Sequence, residues 1–307
     1  MIFDKVPPMQ TNLESFLDCT TPLVQSQLLS KNEIRKLNSL WHPWESEKVV
    51  DCFVLGDLWR SFSEWSAYGA GVPVRSDDGE ILTQYFVPYL SAIQIFTGRR
   101  LREEISESLS ETRDSYSDSC SDESESDKLS RSDGYSSEEG PFDHSSFVWH
   151  PNQRLGNLYF EHFERSSPYG RVPLSDKIHS FAQRYPGLMS LRSVDLSPAS
   201  WLAVAWYPIY HIPNGRSIKD LQTCFLTYHT LSSSFQDMEM KEGDCTSLPP
   251  FGLATYKMHG DMWISSKNVQ DRERIMSLLS VADSWLKQLR VNHHDFNYFM
   301  GIHVPGR

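Results

Sequence analysis

The 307 residues carry 39% hydrophobic and 12% aromatic side chains, ample material for a packed core, with a formal net charge of -11. The charge is uneven: between Arg102 and Ser146 fourteen Asp and Glu stand against four Lys and Arg, a balance of -10, and the rest of the chain carries only -1. A nearly neutral body disfavours a nucleic-acid face, which needs clustered Lys and Arg to replace phosphate counterions.

The five cysteines, Cys19, Cys52, Cys120, Cys224 and Cys245, form no CxxC pair and no zinc-like spacing, and their odd number cannot close completely into disulfides. Reduced thiols in the cytoplasm or nucleus are expected. Met1 to Pro8 lacks a basic region followed by an apolar run, so no secretory signal is expected there. The longest apolar stretch, Trp201 to Ile212, contains Pro208 and His211 and falls short of the roughly 18 to 20 residues of a spanning helix, so no membrane span is expected.

In chain order, the opening segment reads as irregular chain with one turn of helix around Leu13–Leu17 leaning on a core. Leu55, Leu58, Trp59, Phe62 and Trp65 then follow helical spacing with polar residues between them, and Gly69 and Gly71 with Pro73 end that helix. Asp77-Asp78-Gly79 is a turn signal between extended runs at Val72–Val74 and Ile81–Val87, which predicts a hairpin followed by another strand over Leu90–Phe96. Pro88 has no amide hydrogen to donate and is expected to break or bulge the ladder.

Residues 102–146 combine fifteen serines with the acidic residues and almost no large apolar side chains, so burial cannot offset the entropy of ordering them. A disordered insert is expected there, with 1–101 and 147–307 folding together as one domain. Leu158–Phe163 predicts a strand beside or beyond the one ending at Phe96. Pro173–Tyr185 predicts a short helix stopped by Pro186-Gly187, with Leu174, Ile178, Phe181 and Ala182 inward.

Trp201–Tyr207 is apolar on both alternate sets, as in a strand covered on both faces, and is the expected central strand. Cys224–Leu231 and Leu253–Trp263 supply further β-rich runs. Arg272–Leu289 is an amphipathic helix with Ile275, Leu278, Leu279, Ala282, Trp285, Leu286 and Leu289 on one stripe, and Phe296–Phe299 reads as an edge strand or a packed loop. The sum is an α+β fold, a mostly antiparallel β-sheet packed by amphipathic helices.

No P-loop, dinucleotide fingerprint, nucleophile elbow or HExxH motif is present. Gly69-Ala70-Gly71 follows a helix and lacks a third glycine, so it reads as a cap and turn. His293-His294-Asp295 offers three metal ligands, but neighbours on an extended chain point to opposite faces, and surface or loop polarity is the expected reading. Cys224 and His229, five residues apart on a strand, would lie about 16 Å apart, too far for a nucleophile and its base. Neither a metal nor a cofactor is expected. Asp57 reads as a charge in a helix first turn. Most tryptophans fall on periodic apolar faces and read as core.

Ser108, Ser115, Ser119, Ser124, Ser130 and Ser136 each have Asp or Glu three residues later, the spacing an acidophilic kinase of the casein kinase 2 type reads with a basic pocket. Each phosphate would add about -1.5 to -2 charge.

Assembled, the chain resembles the plant protein family known as domain of unknown function 789. The resemblance rests on Asn12–Pro22, Phe53–Trp59, Glu64–Pro73, Gln84–Ser91, Ser200–Tyr210, Cys224–His229 and His293–Phe296. It implies a plant source and a single domain spanning the insert, and it supplies no activity, cofactor or catalytic residue. The leading expectation is a non-catalytic intracellular interaction or regulatory module with a protein partner. The alternatives are a structural component of a larger assembly, or an enzyme whose site gathers dispersed residues, with Asp57, Tyr68, His211, His229 and His259 as first candidates.

Overall fold

The computed structural model describes residues 10–38, 41–42, 50–76, 79–98, 155–209, 222–233, 245–258, 262–264 and 269–302. Its first helix, α1 (Asn12–Thr20), is longer than the single turn expected. Thr11 and Glu14 form a capping box: the hydroxyl accepts from the Glu14 amide at 3.2 Å and the carboxylate from the Thr11 amide at 3.0 Å. With its first turn satisfied, the helix buries Leu13, Phe16 and Leu17. Strands β1 (Leu23–Gln25) and β2 (Gln27–Leu28), helix α2 (Lys31–Ile34) and strand β3 (Asp51–Cys52) follow.

The single helix expected from Leu55 to Trp65 is two, α3 (Leu55–Ser61) and α4 (Ser63–Tyr68). Phe62 turns the chain between them, its amide bonded to the Trp59 carbonyl in a tightened turn. The break keeps Leu58, Trp59 and Phe62 fully inside while Trp65 lies half-buried against Phe62 and Trp206. Gly69 ends α4 at φ +81°, as the cap reading expects, and donates its amide to the Trp65 carbonyl.

The main sheet has the order β10–β8–β7–β5–β4, with β6 also on β5, and every pairing is antiparallel. Its strands are β4 (Ala70–Arg75), β5 (Ile81–Thr97), β6 (Asn157–Phe163), β7 (Trp201–Pro208), β8 (Cys224–Thr230) and β10 (Gly252–Tyr256); β9 (Cys245–Ser247) pairs instead with β1. The expected hairpin is β4–β5, and β7 is central as its two-sided apolar pattern implies. The two strands expected over Ile81–Phe96 are one strand of seventeen residues. Pro88 does not interrupt it and pairs with Trp206. The physical reason is local: β4 pairs with β5 only up to Phe86 and β6 only from Ala92, so at Pro88 one side of the strand has no ladder to supply.

The remaining helices are α5 (Leu174–Ala182), α6 (Gly187–Ser190), α7 (Val269–Leu289) and α8 (His294–Phe299). Pro186-Gly187 therefore ends one helix and starts the next. The β-run expected from Leu253 to Trp263 ends at Tyr256, and Phe296–Phe299 is helical rather than extended. One apolar cluster fills the sheet face covered by α1, α3, α4, α5 and α6, through Phe16, Trp59, Phe62, Phe86, Trp206 and Phe225. The second gathers Trp201, Ala203, Leu226 and Tyr228 beneath α7 and α8. Helix α7 rides directly on β10: a Cβ on Gly252 would lie 2.9 Å from the Ala282 Cβ, so glycine permits this contact.

Strands β5 and β6 are neighbours in register, with Thr97 opposite Asn157, so the intervening chain leaves and re-enters the sheet at adjacent positions. Gly156, at φ +79°, completes this base; a Cβ there would meet the Thr97 carbonyl oxygen at 2.7 Å and the Trp41 ring at 2.9 Å. The insert 102–146 lies outside the described residues. Its ends open from what is geometrically a hairpin, which a short connection can close. Replacing 102–146 by a short Gly/Ser linker is therefore expected to leave one cooperative thermal transition near that of the intact chain, whereas 1–101 and 147–307 expressed separately show none; circular dichroism melts check both.

Candidate functional site

Five buried polar side chains converge on the second sheet face, where β5, β8, α8 and the loop before α5 meet. The first of them is Ser91. In the β5–β7 register Leu90 opposes Val204 and Ala92 opposes Ala203, so Ser91 is the extra residue of a β-bulge. The bulge shifts the alternation of β5, moving the first cluster's contacts from Phe86 and Leu90 to Ile93 and Ile95. Ser91 and Ala92 both face the second cluster, and Ser91 meets the C-terminal residues there.

Ser91 Oγ lies 2.5 Å from Asp295 Oδ2 and 2.9 Å from His293 Nε2. Tyr228 Oη lies 2.8 Å from His293 Nδ1. Arg171 grips the same carboxylate with both ends of its fork, at 2.7 Å to each oxygen, and donates to the Ser166 carbonyl as well. Ser91, Tyr228, His293 and Asp295 are all at most 2% exposed, and the Arg171 side chain is 3% exposed.

These contacts fix the direction of every proton. Asp295 is ionised, its pKa lowered by the Arg171 guanidinium and Ser91 despite the opposing cost of burial. The single Ser91 hydroxyl hydrogen therefore goes to Asp295. His293 must then donate from Nε2 to Ser91, leaving Nδ1 to accept from Tyr228. Burial pushes the imidazole down to about 4 and the Tyr228 phenol well up, so both are neutral at pH 7.

The same accounting separates the network from a nucleophilic relay. In a serine nucleophile the imidazole accepts the hydroxyl proton and a carboxylate orients the far ring nitrogen. Here the imidazole donates to the serine, and the carboxylate sits on the serine and the arginine. The arrangement polarises no outward-facing oxygen. Its chemistry is that of a fastener joining α8 and the Arg171 loop to two strands.

A second buried histidine fastens the other face. His229 Nδ1 lies 2.9 Å from the Leu248 carbonyl, which can only accept, so Nδ1 carries the proton and Nε2 accepts from Thr227 Oγ1 at 2.9 Å. Thr227 in turn accepts from the Trp206 indole at 3.0 Å. Burial lowers His229 to about 4.

Among the described residues, those singled out in sequence do not assemble. Asp57 is in the first turn of α3 and pairs with Arg60 at 2.7 Å, as an N-terminal charge should. Tyr68 is 74% exposed on α4, and His229 is sealed between Thr227 and Leu248. His211 and His259 lie outside the described residues, as do Ser108, Ser115, Ser119, Ser124, Ser130 and Ser136. Cys224 and His229 share β8 but face opposite clusters, and burial raises the Cys224 thiol to about 12.

The surface reading of His293-His294-Asp295 is overturned. His293 and Asp295 are buried while His294 stays outside: His293 is the extended N-cap of α8 and Asp295 lies in its first turn, and both are held by Ser91. No group of three metal-ligating side chains occurs among the described residues, and none of their helices is long and apolar enough to cross a membrane.

The sequence model of one family, described as a protein of unknown function (DUF789), matches residues 11–299, from the α1 cap to the last residue of α8. No curated protein and no solved structure matches this chain.

Two outcomes are expected from this geometry. Arg171→Ala strands a buried carboxylate, so chemical denaturation at pH 7 should register a loss of about 3–5 kcal/mol. His229 binds its proton more weakly folded than unfolded, so its contribution is complete above about pH 6.5 and is lost as pH falls toward 4. Denaturation midpoints between pH 7 and 4 should fall accordingly, by on the order of 3 kcal/mol for this residue, and His229→Gln should flatten the slope.

Proposed function

This chain belongs to that family of unknown function, and we propose that it is a non-catalytic interaction module whose folded body presents an acidic, serine-rich insert to a protein partner. The observation that carries this reading is the Thr97–Asn157 register, which holds the ends of the connection at one end of the β5–β6 pair. A rigid sheet edge thus supports a segment that holds ten of the chain's eleven net negative charges. The partner that fits is a protein with a basic surface, because a dense run of carboxylates gains from replacing scattered counterions with fixed cations.

An acidophilic kinase is the expected regulator. Phosphates on Ser108, Ser115, Ser119, Ser124, Ser130 and Ser136 would roughly double the negative charge of the insert and strengthen binding to arginine-rich surfaces. The proton directions around Ser91 and the separation of Asp57, Tyr68 and His229 support the non-catalytic reading over a dispersed active site. The free thiols Cys19, Cys52, Cys224 and Cys245 support a reducing compartment, cytoplasm or nucleus. A plant source accompanies the family reading.

The test compares the intact chain with one carrying the short linker in place of 102–146, each before and after treatment with a casein kinase 2 type enzyme. Phosphopeptide mapping is expected to find the six serines modified. Affinity capture with mass spectrometry should return partners for the intact chain that the linker form loses, with affinity rising on phosphorylation. Equal capture by both forms would transfer the binding role to the folded surface, and equal affinity before and after complete phosphorylation would reject the switch.

A further inference from the structure

Helix α8 is short, six residues, and its apolar anchorage is modest: Phe296 packs near Tyr228 and Phe299 near Tyr256, while Tyr298, Met300 and Ile302 are exposed. The rest of its attachment is the polar network. Ahead of it, α7 ends at Leu289 and is followed by Arg290, whose φ of +55° lies in the left-handed region, and Val291 donates back to the Leu286 carbonyl. A left-handed residue between a long helix and a short one gives residues 291–302 a defined point of departure from α7.

His293 sits at the start of this segment, and the bond that its Nδ1 accepts from Tyr228 exists only in its neutral form. From β5 it faces Ser91, from β8 Tyr228, and from β6 and β7 the rings of Phe163 and Trp201. The charged and titratable groups that act on it are Asp295 and His294 from α8 and Arg171 from the loop before α5. Burial, with Arg171 and His294, disfavours a cation on this ring and outweighs the opposing pull of Asp295, whose carboxylate the Arg171 fork already occupies. A proton on Nδ1 would point at the Tyr228 hydroxyl hydrogen, and that hydroxyl would have to turn and give up its acceptor in a site walled by Phe163 and Trp201.

We propose that residues 291–302 form an acid-releasable latch, which lifts from the sheet as a unit when His293 takes up a proton while the sheet itself stays folded. Release exposes the Tyr228 and Trp201 surface beneath α8, which the polar network and the buried Phe296 and Phe299 otherwise cover. The sign follows from linkage. The imidazole is held at about 4 when the latch is closed and returns to the usual range near 6.5 when it opens. The closed form is therefore fully favoured above about pH 6.5, and the open fraction grows by up to tenfold per pH unit as pH falls toward 4.

Hydrogen–deuterium exchange of the full chain at pH 7, 6, 5 and 4.5, corrected for intrinsic exchange rates, reads the latch directly. Protection of peptides within 291–302 is expected to fall by roughly tenfold per pH unit below 6.5, ahead of any loss in β7 and β8. His293→Gln should abolish the early loss and His229→Gln should keep it. If His293→Gln does not fold, Tyr228→Phe replaces it: removing the donor to Nδ1 should move release to higher pH. The proposal is overturned if 291–302 stays protected to pH 4.5 or loses protection only in step with β7 and β8. It is equally overturned if His293→Gln releases like the parent, or if Tyr228→Phe leaves the release pH unchanged.

Discussion

The long pairing of β5 with β7 is the constraint on which the other elements depend. Strand β5 carries β7 along one side and shares the other between β4 and β6. Both halves of the chain meet there, since β4 and β5 precede the insert and β6 and β7 follow it. Burial on both faces then follows, because β7 is flanked by β5 and β8 and its two side-chain sets must each find a cover. The larger cover comes mostly from helices early in the chain or just after β6, and the smaller from the last two helices. Burying Trp59, Trp201, Trp206 and Trp263 completely, each worth roughly 2–3 kcal/mol or more, gives the sheet a hydrophobic margin that a near-neutral surface does not have to supply.

One irregularity in that pairing determines the polar site. A strand without a bulge would keep a single alternation from Phe86 to Ile95 and would turn Ile93 and Ile95 away from the first cluster. The additional residue inverts the phase, so that Leu90 and Ile93 both serve the first cluster while Ser91 meets His293 and Asp295. A second shift, opposite Ile95 and Phe96 on β6, falls at Tyr159, whose hydroxyl accepts from the Gly187 amide at 2.9 Å and so ties the hairpin to α6. Both bulges convert a break in the ladder into a side-chain bond to a distant element.

Much of this was legible in the residues. The central strand, the β4–β5 hairpin, the long α7 stripe and the cap at Gly69 each follow from a local pattern that tertiary packing did not need to override. The bulge was legible too, though harder to see: the apolar phase passes from Phe86 and Leu90 to Ile93 and Ile95, and a slip of that kind within one strand marks an inserted residue. The capping box Thr11–Glu14 was a plain signal for α1. What sequence could not supply is the partner of Asp295. Arg171 stands 124 positions away in a polar loop with no periodicity, and only the closed fold brings its fork to the carboxylate. The same limit applies to His293, the extended residue that caps α8, whose partners Ser91 and Tyr228 stand 202 and 65 positions away.

The two buried histidines show how the fold uses polar groups. His229 is protonated on Nδ1 and His293 on Nε2, each dictated by a neighbour that can act in one direction only: a backbone carbonyl in the first case and an arginine-bound carboxylate in the second. In both, a ring joins segments distant in sequence without a net charge in the core, which avoids the desolvation cost that a buried ion pair must overcome. The buried ion pair Arg171–Asp295 is compensated on both sides by further hydrogen bonds to Ser91 and Ser166. Polar groups inside this protein therefore hold elements together with their donors and acceptors turned inward, and the charge that distinguishes the chain is carried by the serine-rich connection between β5 and β6.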